Sequence, residues 1–359
     1  MLSVIIPTYN EKDNIKVLIE RLESVLSKNE IPFELIVVDD DSPDLTWQVV
    51  EELVLSKPHV RLYRRVNQRG LSSAVIQGFS QAKGDYLAVI DADLQHDESI
   101  LPEMYRRCKE NEIVIASRKV ENGGIEDWSK KRQFVSWVAG SLAVWVLKVK
   151  ITDPMSGFFM LPRESFNKCV QQLNPKGFKI LLEIIHKLQP KKVSEVGFVF
   201  KSRQHGESKL STSVIFDYLI SLYELKFGKV LPASFLQYCL VGGLGVLVNM
   251  GVFMLAYRLS GQSKELSIIL GIFVSMVFNF MLNDLWTFKN YKSRSLGEKL
   301  FKSLKFLTFC SIGALINYSV ALFVDTHFTF LIEISVLFGI SVSTLWNYWS
   351  NKTFTWNAS

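Results

Sequence analysis

Beyond about Val230 charge nearly vanishes for long stretches, and this limits the fold more than any other feature of the chain. Four apolar runs follow: about Phe235 to Tyr257, Leu266 to Leu285, Phe306 to Val324, and Phe328 to Trp346. Each is near the ~20 residues that carry an α-helix across hydrocarbon. In lipid a spanning segment must satisfy its own backbone, so four membrane helices are expected. The loop between the second and third runs carries Lys289, Lys292, Arg294, Lys299, Lys302 and Lys305, whereas the other two loops carry few charges, such as Arg258, Lys264 and Asp325. The positive-inside rule puts the rich loop, and with it both chain ends, in the cytosol. Met1 leads straight into an apolar strand with no basic leader, which gives the same expectation of a cytosolic soluble half.

These runs also repeat. A shift of about 68 residues carries Gly245 onto Gly313, Asn249 onto Asn317, Asn279 onto Asn347, Asn283 onto Asn351, and Trp286-Thr287-Phe288 onto Phe354-Thr355-Trp356. Each unit is a helical hairpin. Asparagines in or near apolar spans are costly unless partnered. They serve either helix-to-helix hydrogen bonding or a lipid or sugar path.

The first ~120 residues read differently. Short apolar runs at Val4 to Pro7, Glu34 to Val38, Val60 to Arg64, Tyr86 to Ile90 and Ile113 to Ala116 look like buried parallel strands. Ile15, Leu18, Ile19, Leu22 and Leu26 recur at helical spacing between the first two. Alternating strands and helices imply a doubly wound α/β sheet. Phe134 to Val149 is apolar but short for a span, and reads as an interfacial helix or a buried core helix. Val214 to Leu225 also looks amphipathic, with Ile215, Tyr218, Leu219, Leu222 and Leu225 on one face. The division expected is a catalytic domain over 1–210, an interfacial helix and linker over 211–231, and a membrane domain over 232–359. The net charge of +6 comes without a basic stripe interleaved with aromatics, so nucleic acid is not an expected partner. The basic residues gather beside apolar segments, the pattern of a protein on an anionic bilayer. Cys108, Cys169, Cys239 and Cys310 are far apart and form no CxxC, so they are expected as buried free thiols.

Ligands of such sheets sit at the carboxyl ends of the strands, and the acids fall there. Asp91-Ala92-Asp93 with Gln95 follows the fourth strand. Two carboxylates at i and i+2 can share a hard cation, and Gln95 can add a neutral oxygen. An oxygen set suits Mg²⁺ or Mn²⁺, with a diphosphate completing the shell. Asp39-Asp40-Asp41-Ser42-Pro43-Asp44 follows the second strand. One of its carboxylates can hold a base or ribose, while Asp and Ser also cap the helix expected from near Pro43. Arg118, Lys131, Arg132, Lys179, Arg203 and Lys209 are the cations suited to phosphate. His96 and His205 are expected as surface or capping histidines and receive no catalytic role.

Taken together, Pro7-Thr8-Tyr9-Asn10-Glu11, Val38 to Asp44, Gly70-Leu71-Ser72-Ser73-Ala74, Asp91 to His96, Asp153-Pro154-Met155-Ser156-Gly157-Phe158, Gly177-Phe178-Lys179 and Gly206-Glu207-Ser208-Lys209 resemble the dolichol-phosphate mannose synthases. These are inverting family-two glycosyltransferases with a GT-A fold. The resemblance covers about Met1 to Phe216, and the four-span tail resembles the GtrA-like membrane domain. It implies that Pro7, Tyr9, Glu11, Val38 and Asp40 hold guanosine. It implies that Asp91, Asp93 and Gln95 hold metal and diphosphate, with Ala92 beside the ribose. Lys179, Arg203 and Lys209 would meet donor phosphates. Arg118, Arg132 and Ser136 would hold the acceptor phosphate. Ser129-Lys130-Lys131 before Arg132 departs from a fixed family spacing. The triple acid with Ser-Pro-Asp looks more like mannose-transferring than glucose-transferring members.

The expected activity is transfer of mannose from GDP-mannose to dolichyl or polyprenyl phosphate. A phosphate monoester has its second pKa near about 6 and needs no general base. The alternatives are a glucosyltransferase using UDP-glucose, and a lipid-linked sugar flippase with a nucleotide-sugar-sensing domain.

Overall fold

The computed structural model describes every residue except 127–128, 149, 176–178, 202–211, 229–230, 292, 294, 329–331 and 358–359, together with the side chains of 130, 131, 212–217 and 290. The chain divides into two compact units, Met1–Lys226 and Phe227–Ser359.

In the first unit the elements run β1 (Leu2–Thr8), α1 (Lys12–Lys28), β2 (Phe33–Asp39), α2 (Thr46–Ser56), β3 (Val60–Arg64), α3 (Leu71–Gln81), β4 (Tyr86–Val89), α4 (Leu101–Cys108), β5 (Ile113–Ser117) and β6 (Gly124–Ile125). There follow α5 (Lys130–Leu147), β7 (Phe159–Pro162), α6 (Arg163–Cys169), α7 (Ile180–Leu188), β8 (Val193–Gly197), β9 (Val199–Phe200) and α8 (Thr212–Phe227). Seven strands form one sheet in the order β3-β2-β1-β4-β7-β5-β8. All pairings are parallel except those of β7, which runs antiparallel to both β4 and β5. This is the mixed α/β sheet of a GT-A fold.

Period-two alternation builds two cores. Leu2, Val4 and Ile6 of β1 face α1 and α4, where Leu18, Leu22, Leu101 and Met104 are fully buried. Ile5 points the other way, toward Val75 and Phe79 of α3 and Ile184 of α7. Burying each such side chain stabilises the fold by about 1.5–3 kcal/mol. Strand order reverses beside β1, since β2 lies on one side and β4 on the other. This is a topological switch point, where a crevice opens at the strand ends.

The expected strands end with β5; β6, β7, β8 and β9 were not expected, since none of them has a run of alternating apolar residues long enough to show a period. Helix α2 starts at Thr46 rather than near Pro43, because Asp44 uses its carboxylate to cap the Thr46 N–H at 3.0 Å. Helix α5 is neither wholly buried nor wholly surface. Ala143 and Leu147 pack with Leu182, Tyr218 and Leu222, while Phe134, Trp137 and Trp145 are well exposed, Trp145 at 78%. An outward apolar face on a helix this short is what an interfacial helix presents. On α8, Leu219 is exposed, unlike Tyr218 and Leu222; the side chain of Ile215 lies outside the described residues.

The second unit holds α9 (Ala233–Met254), α10 (Lys264–Leu282), α11 (Leu296–His327) and α12 (Ile332–Ser350). Among the described residues, three helical stretches, Ala233–Leu259, Lys264–Thr287 and Leu296–His327, are long and apolar enough to cross a membrane. The fourth expected span is helical as α12, but Glu333, Ser341, Ser343, Thr344 and Asn347 lower its apolarity.

The repeat has a physical basis in this unit. Asn279 lies against Gly245, and Asn347 against Gly313, so closely that a Cβ on either glycine would overlap the amide. Asn249 lies likewise against Gly271, and Asn317 against Gly339. Each hairpin therefore carries two reciprocal Asn–Gly contacts, 68 residues apart in sequence, that let its helices approach closely. This favours packing as the role of these asparagines. Both hairpins end in a π turn, Asn283–Thr287 and Asn351–Thr355. The six aromatics of the core are three repeat pairs: Tyr238 with Phe306, Phe280 with Tyr348, and Phe288 with Trp356. Trp356 stacks on Phe288 at 4.5 Å and donates its indole N–H to Asp284 at 2.9 Å, tying one π turn to the other.

Candidate functional site

The parallel register places Thr8 opposite Asp39, so β1 and β2 end level. Each acid of the triple then has a definite partner. Asp39, fully buried, accepts from Thr8 Oγ1 at 2.8 Å and from the Ser42 N–H and hydroxyl at 2.8 and 2.7 Å. Asp40 accepts from Arg65 Nε at 2.6 Å and from the Gly70 N–H at 2.8 Å. Asp41, at φ +54°, pairs with Arg64. The surplus acids seen in the sequence thus brace the 65–70 segment as well as capping a turn. Asn10 N–H donates to Ser42 Oγ and Glu11 N–H to Thr46 Oγ1, each at 3.0 Å, which fixes the loop after β1. The Arg69 guanidinium lies 4.5 Å over the Tyr9 ring. Val38 and Ala92 send their side chains into the core, so a ligand can reach them only through main chain.

Beside this crevice, β4 delivers Asp91-Ala92-Asp93. Val89 is opposite Phe159 across the antiparallel β4–β7 pair, so two residues beyond β4 meet two residues before β7. That register sets Gly157 against Asp91: a Cβ at Gly157 would overlap the Asp91 carboxylate. The Asp91 side chain keeps 36% exposure, and Asp93 is largely buried. Gln95 donates Nε2 to the Lys201 carbonyl at 2.8 Å, which leaves its oxygen as the atom presented elsewhere. Among the described residues no three His, Cys, Asp or Glu side chains gather as a metal cage. Two carboxylates and an amide oxygen are the donor set of a hard cation that takes its remaining ligands from a diphosphate and water. Gly157 gives the Asp91 carboxylate its place, and the exposure of Asp91 keeps that donor accessible.

His96 sits beneath, 97% buried among Phe158, Phe198 and Phe200, with Nδ1 4.0 Å from Asp91. Burial pushes its pKa down to about 4, so the ring is neutral near pH 7. It is a buried packing histidine, not the surface or capping one expected.

On the far side of β7, Arg118 leaves β5 and meets Asp153. Nε lies 2.7 Å from Oδ2 and Nη2 2.8 Å from Oδ1, and the Arg118 N–H adds a third bond at 3.2 Å. Burial would raise the Asp153 pKa, but the Arg118 hydrogen bonds and charge outweigh it and hold the carboxyl below its usual range. Glu195 of β8 fixes Asp153 in turn, accepting from the Thr152 N–H and hydroxyl and the Asp153 N–H. Lys179 opens α7; burial lowers its pKa, against the opposing pull of Asp91 and Asp153 and with the help of Arg118. The structure therefore gathers Asp91, Lys179, Arg118 and Asp153 from four separate stretches of sequence. Arg132 and Ser136 lie one turn apart on the half-buried face of α5. Arg203, Lys209, Gly177, Phe178 and the Lys131 side chain lie outside the described residues. Asp153 and Gly157 stood in a quoted motif without a role, because only the antiparallel β7 shows what they touch.

Residues 3–170 match Glycosyl transferase family 2, and residues 237–356 match the GtrA/DPMS transmembrane domain. The dolichol-phosphate mannosyltransferase of Pyrococcus furiosus is 40% identical over 99% of this chain and 99% of its own length. That of Saccharomyces cerevisiae is 41% identical over 63% of this chain and 88% of its own. Glucosyl-3-phosphoglycerate synthase from Mycobacterium tuberculosis, solved with Mn²⁺ and UDP, is 18% identical over 63% of this chain and 80% of that one, with a TM-score of 0.45. A likeness that distant carries no weight here.

Proposed function

The chain belongs to the dolichol-phosphate mannosyltransferase family, a membrane-bound group of glycosyltransferases, and from that premise we propose that it moves mannose from GDP-mannose to dolichyl or polyprenyl phosphate at the crevice beside β4. The observation that carries this reading is the pairing of Asp91 with Gly157 at the switch point. It holds the Asp91 carboxylate at the end of β4, which supports binding of a donor diphosphate there.

In this reading Pro7, Tyr9, Glu11 and Asp40, with the main chain of Val38 and Ala92, line the guanosine. Asp91, Asp93 and Gln95 hold Mg²⁺ or Mn²⁺. The ion would offset charge building on the departing diphosphate. Lys179, Arg203 and Lys209 face donor phosphates. Arg118, Arg132 and Ser136 hold the acceptor phosphate. An oxygen of that phosphate attacks the anomeric carbon as the bond to the β-phosphate oxygen breaks, with inversion and GDP leaving. No proton moves, because the monoester is already largely a dianion. What the chain supplies is placement: Arg118 is locked by Asp153 before the acceptor arrives, so little ordering remains to be done.

The helix-borne apolar face of α5 supports a site at the bilayer surface, where a lipid phosphate lies. The basic run from Lys289 to Lys305, which leads into and occupies the first turns of α11, supports cytosolic placement of both chain ends, which labelling of single engineered cysteines in intact cells tests. The donor is tested with purified protein, polyprenyl phosphate, and GDP-mannose or UDP-glucose, with Mn²⁺ or with EDTA. Transfer from GDP-mannose that EDTA abolishes is the expected result. Preference for UDP-glucose would replace the mannose reading.

A further inference from the structure

Lys119 carries a charge for which no described residue supplies a counter-ion. Two carboxylates reach it with their field, Asp153 and Glu195. Both are already engaged: Asp153 takes three bonds from Arg118, and Glu195 takes the donors of Thr152 and Asp153. Burial, with Arg118 beside it, holds the Lys119 ammonium below its usual value in spite of those acids. The ammonium lies against α5, where a Cβ on Gly140 would stand 2.9 Å from Nζ and 3.8 Å from the Pro154 ring. Gly140 is buried. Ser136 and Arg132 precede it by four and eight residues, on the same face of the helix.

We propose that Lys119 is a further phosphate-binding residue of the acceptor site, with Gly140 giving its ammonium room along the α5 face that carries Ser136 and Arg132. The ligand class is the dianionic phosphate monoester of a lipid. Arg118 is matched by Asp153, so Lys119 adds to the acceptor site a positive charge that no described acid pairs. Its three donors complement the planar fork of Arg118. This inference rests on the acceptor assignment above.

The test uses the full chain in detergent. Binding of farnesyl phosphate, inorganic phosphate, farnesol and GDP is measured by calorimetry, alongside KM values for both substrates. Lys119→Ala should weaken farnesyl phosphate about tenfold, the loss of one charge-assisted bond. Acceptor KM should rise in parallel, and GDP affinity and the KM for GDP-mannose should stay as they were. Inorganic phosphate should weaken as well, which shows that the phosphate rather than the prenyl chain is read. Lys119→Arg should restore most of the affinity. Gly140→Ala should mimic the loss in part, by displacing the ammonium. Because Lys119 is no part of a hydrophobic core, Lys119→Ala leaves the core intact and is decisive even if Gly140→Ala folds poorly. Farnesyl phosphate affinity within twofold of wild type would overturn the assignment. So would an equal loss for farnesol. If the wild-type chain itself ignores farnesyl phosphate, the acceptor reading fails, a different result from failure of Lys119 alone.

Discussion

Arg118 meets Asp153 side-on, with both side chains buried, Nε 2.7 Å from one oxygen and Nη2 2.8 Å from the other. The pair joins the end of β5 to the turn before β7. Removing one member leaves a buried, uncompensated charge. Asp153→Ala should therefore destabilise the chain by about 3–5 kcal/mol, read as a lowered midpoint in thermal unfolding. Arg118→Lys keeps the charge but not the fork. It should lower transfer about 30- to 100-fold, the worth of a charged bidentate contact, with GDP affinity unchanged.

Asp91→Ala and Asp93→Ala should each reduce transfer by about 10³ or more, several kcal/mol of transition-state stabilisation. Circular dichroism should stay unaltered, since neither side chain supports the core. Retained turnover in excess EDTA would argue against the ion.

Gly157→Ala separates position from charge. The new methyl must push the Asp91 carboxylate aside while leaving both acids in place. A displacement of about 1 Å is enough to cost on the order of 10² in rate. Steady-state kinetics should show the loss in kcat, with folding retained.

In the membrane unit, Gly245→Leu and Gly313→Leu should prise apart equivalent contacts, with Asn279 and Asn347 respectively. Each should destabilise by about 1–3 kcal/mol, the range for overpacking, and by similar amounts because the sites repeat. Thermal unfolding in detergent measures this. A large inequality would show that the two hairpins are not equivalent in packing.

Glu34 predicts an acid limb of stability. Burial alone would raise its pKa, but the Ser3 hydroxyl, the Lys83 N–H and Arg61 outweigh burial and lower it. Below the unfolded value near about 4.3 the unfolded chain binds more protons than the native one. Stability is therefore full above that value and is lost as pH falls through the folded pKa. Glu34→Gln should flatten the decline in unfolding free energy below about pH 5, measured by urea titration at several pH values.

How much of this was written in the chain varies by element. The long apolar runs and the alternation of strands with amphipathic helices gave the two-part plan, because burial periodicity is a local property. The 68-residue repeat was visible as matching residues, but its meaning was not. Glycine and asparagine pair across two helices, and sequence spacing within one helix cannot show which glycine an amide meets. The short β7 left too few residues for a period.

The sequence alone determined which residue types stand at strand ends, and hence that two acids follow β4 and a cation follows β5. Tertiary structure decided what each of them touches. The antiparallel insertion of β7 brings Gly157 to Asp91 and Asp153 to Arg118 from some 35 to 66 residues away in the chain. Contacts of that range depend on strand order and register, which are set by the packing of the whole sheet rather than by any local run of residues.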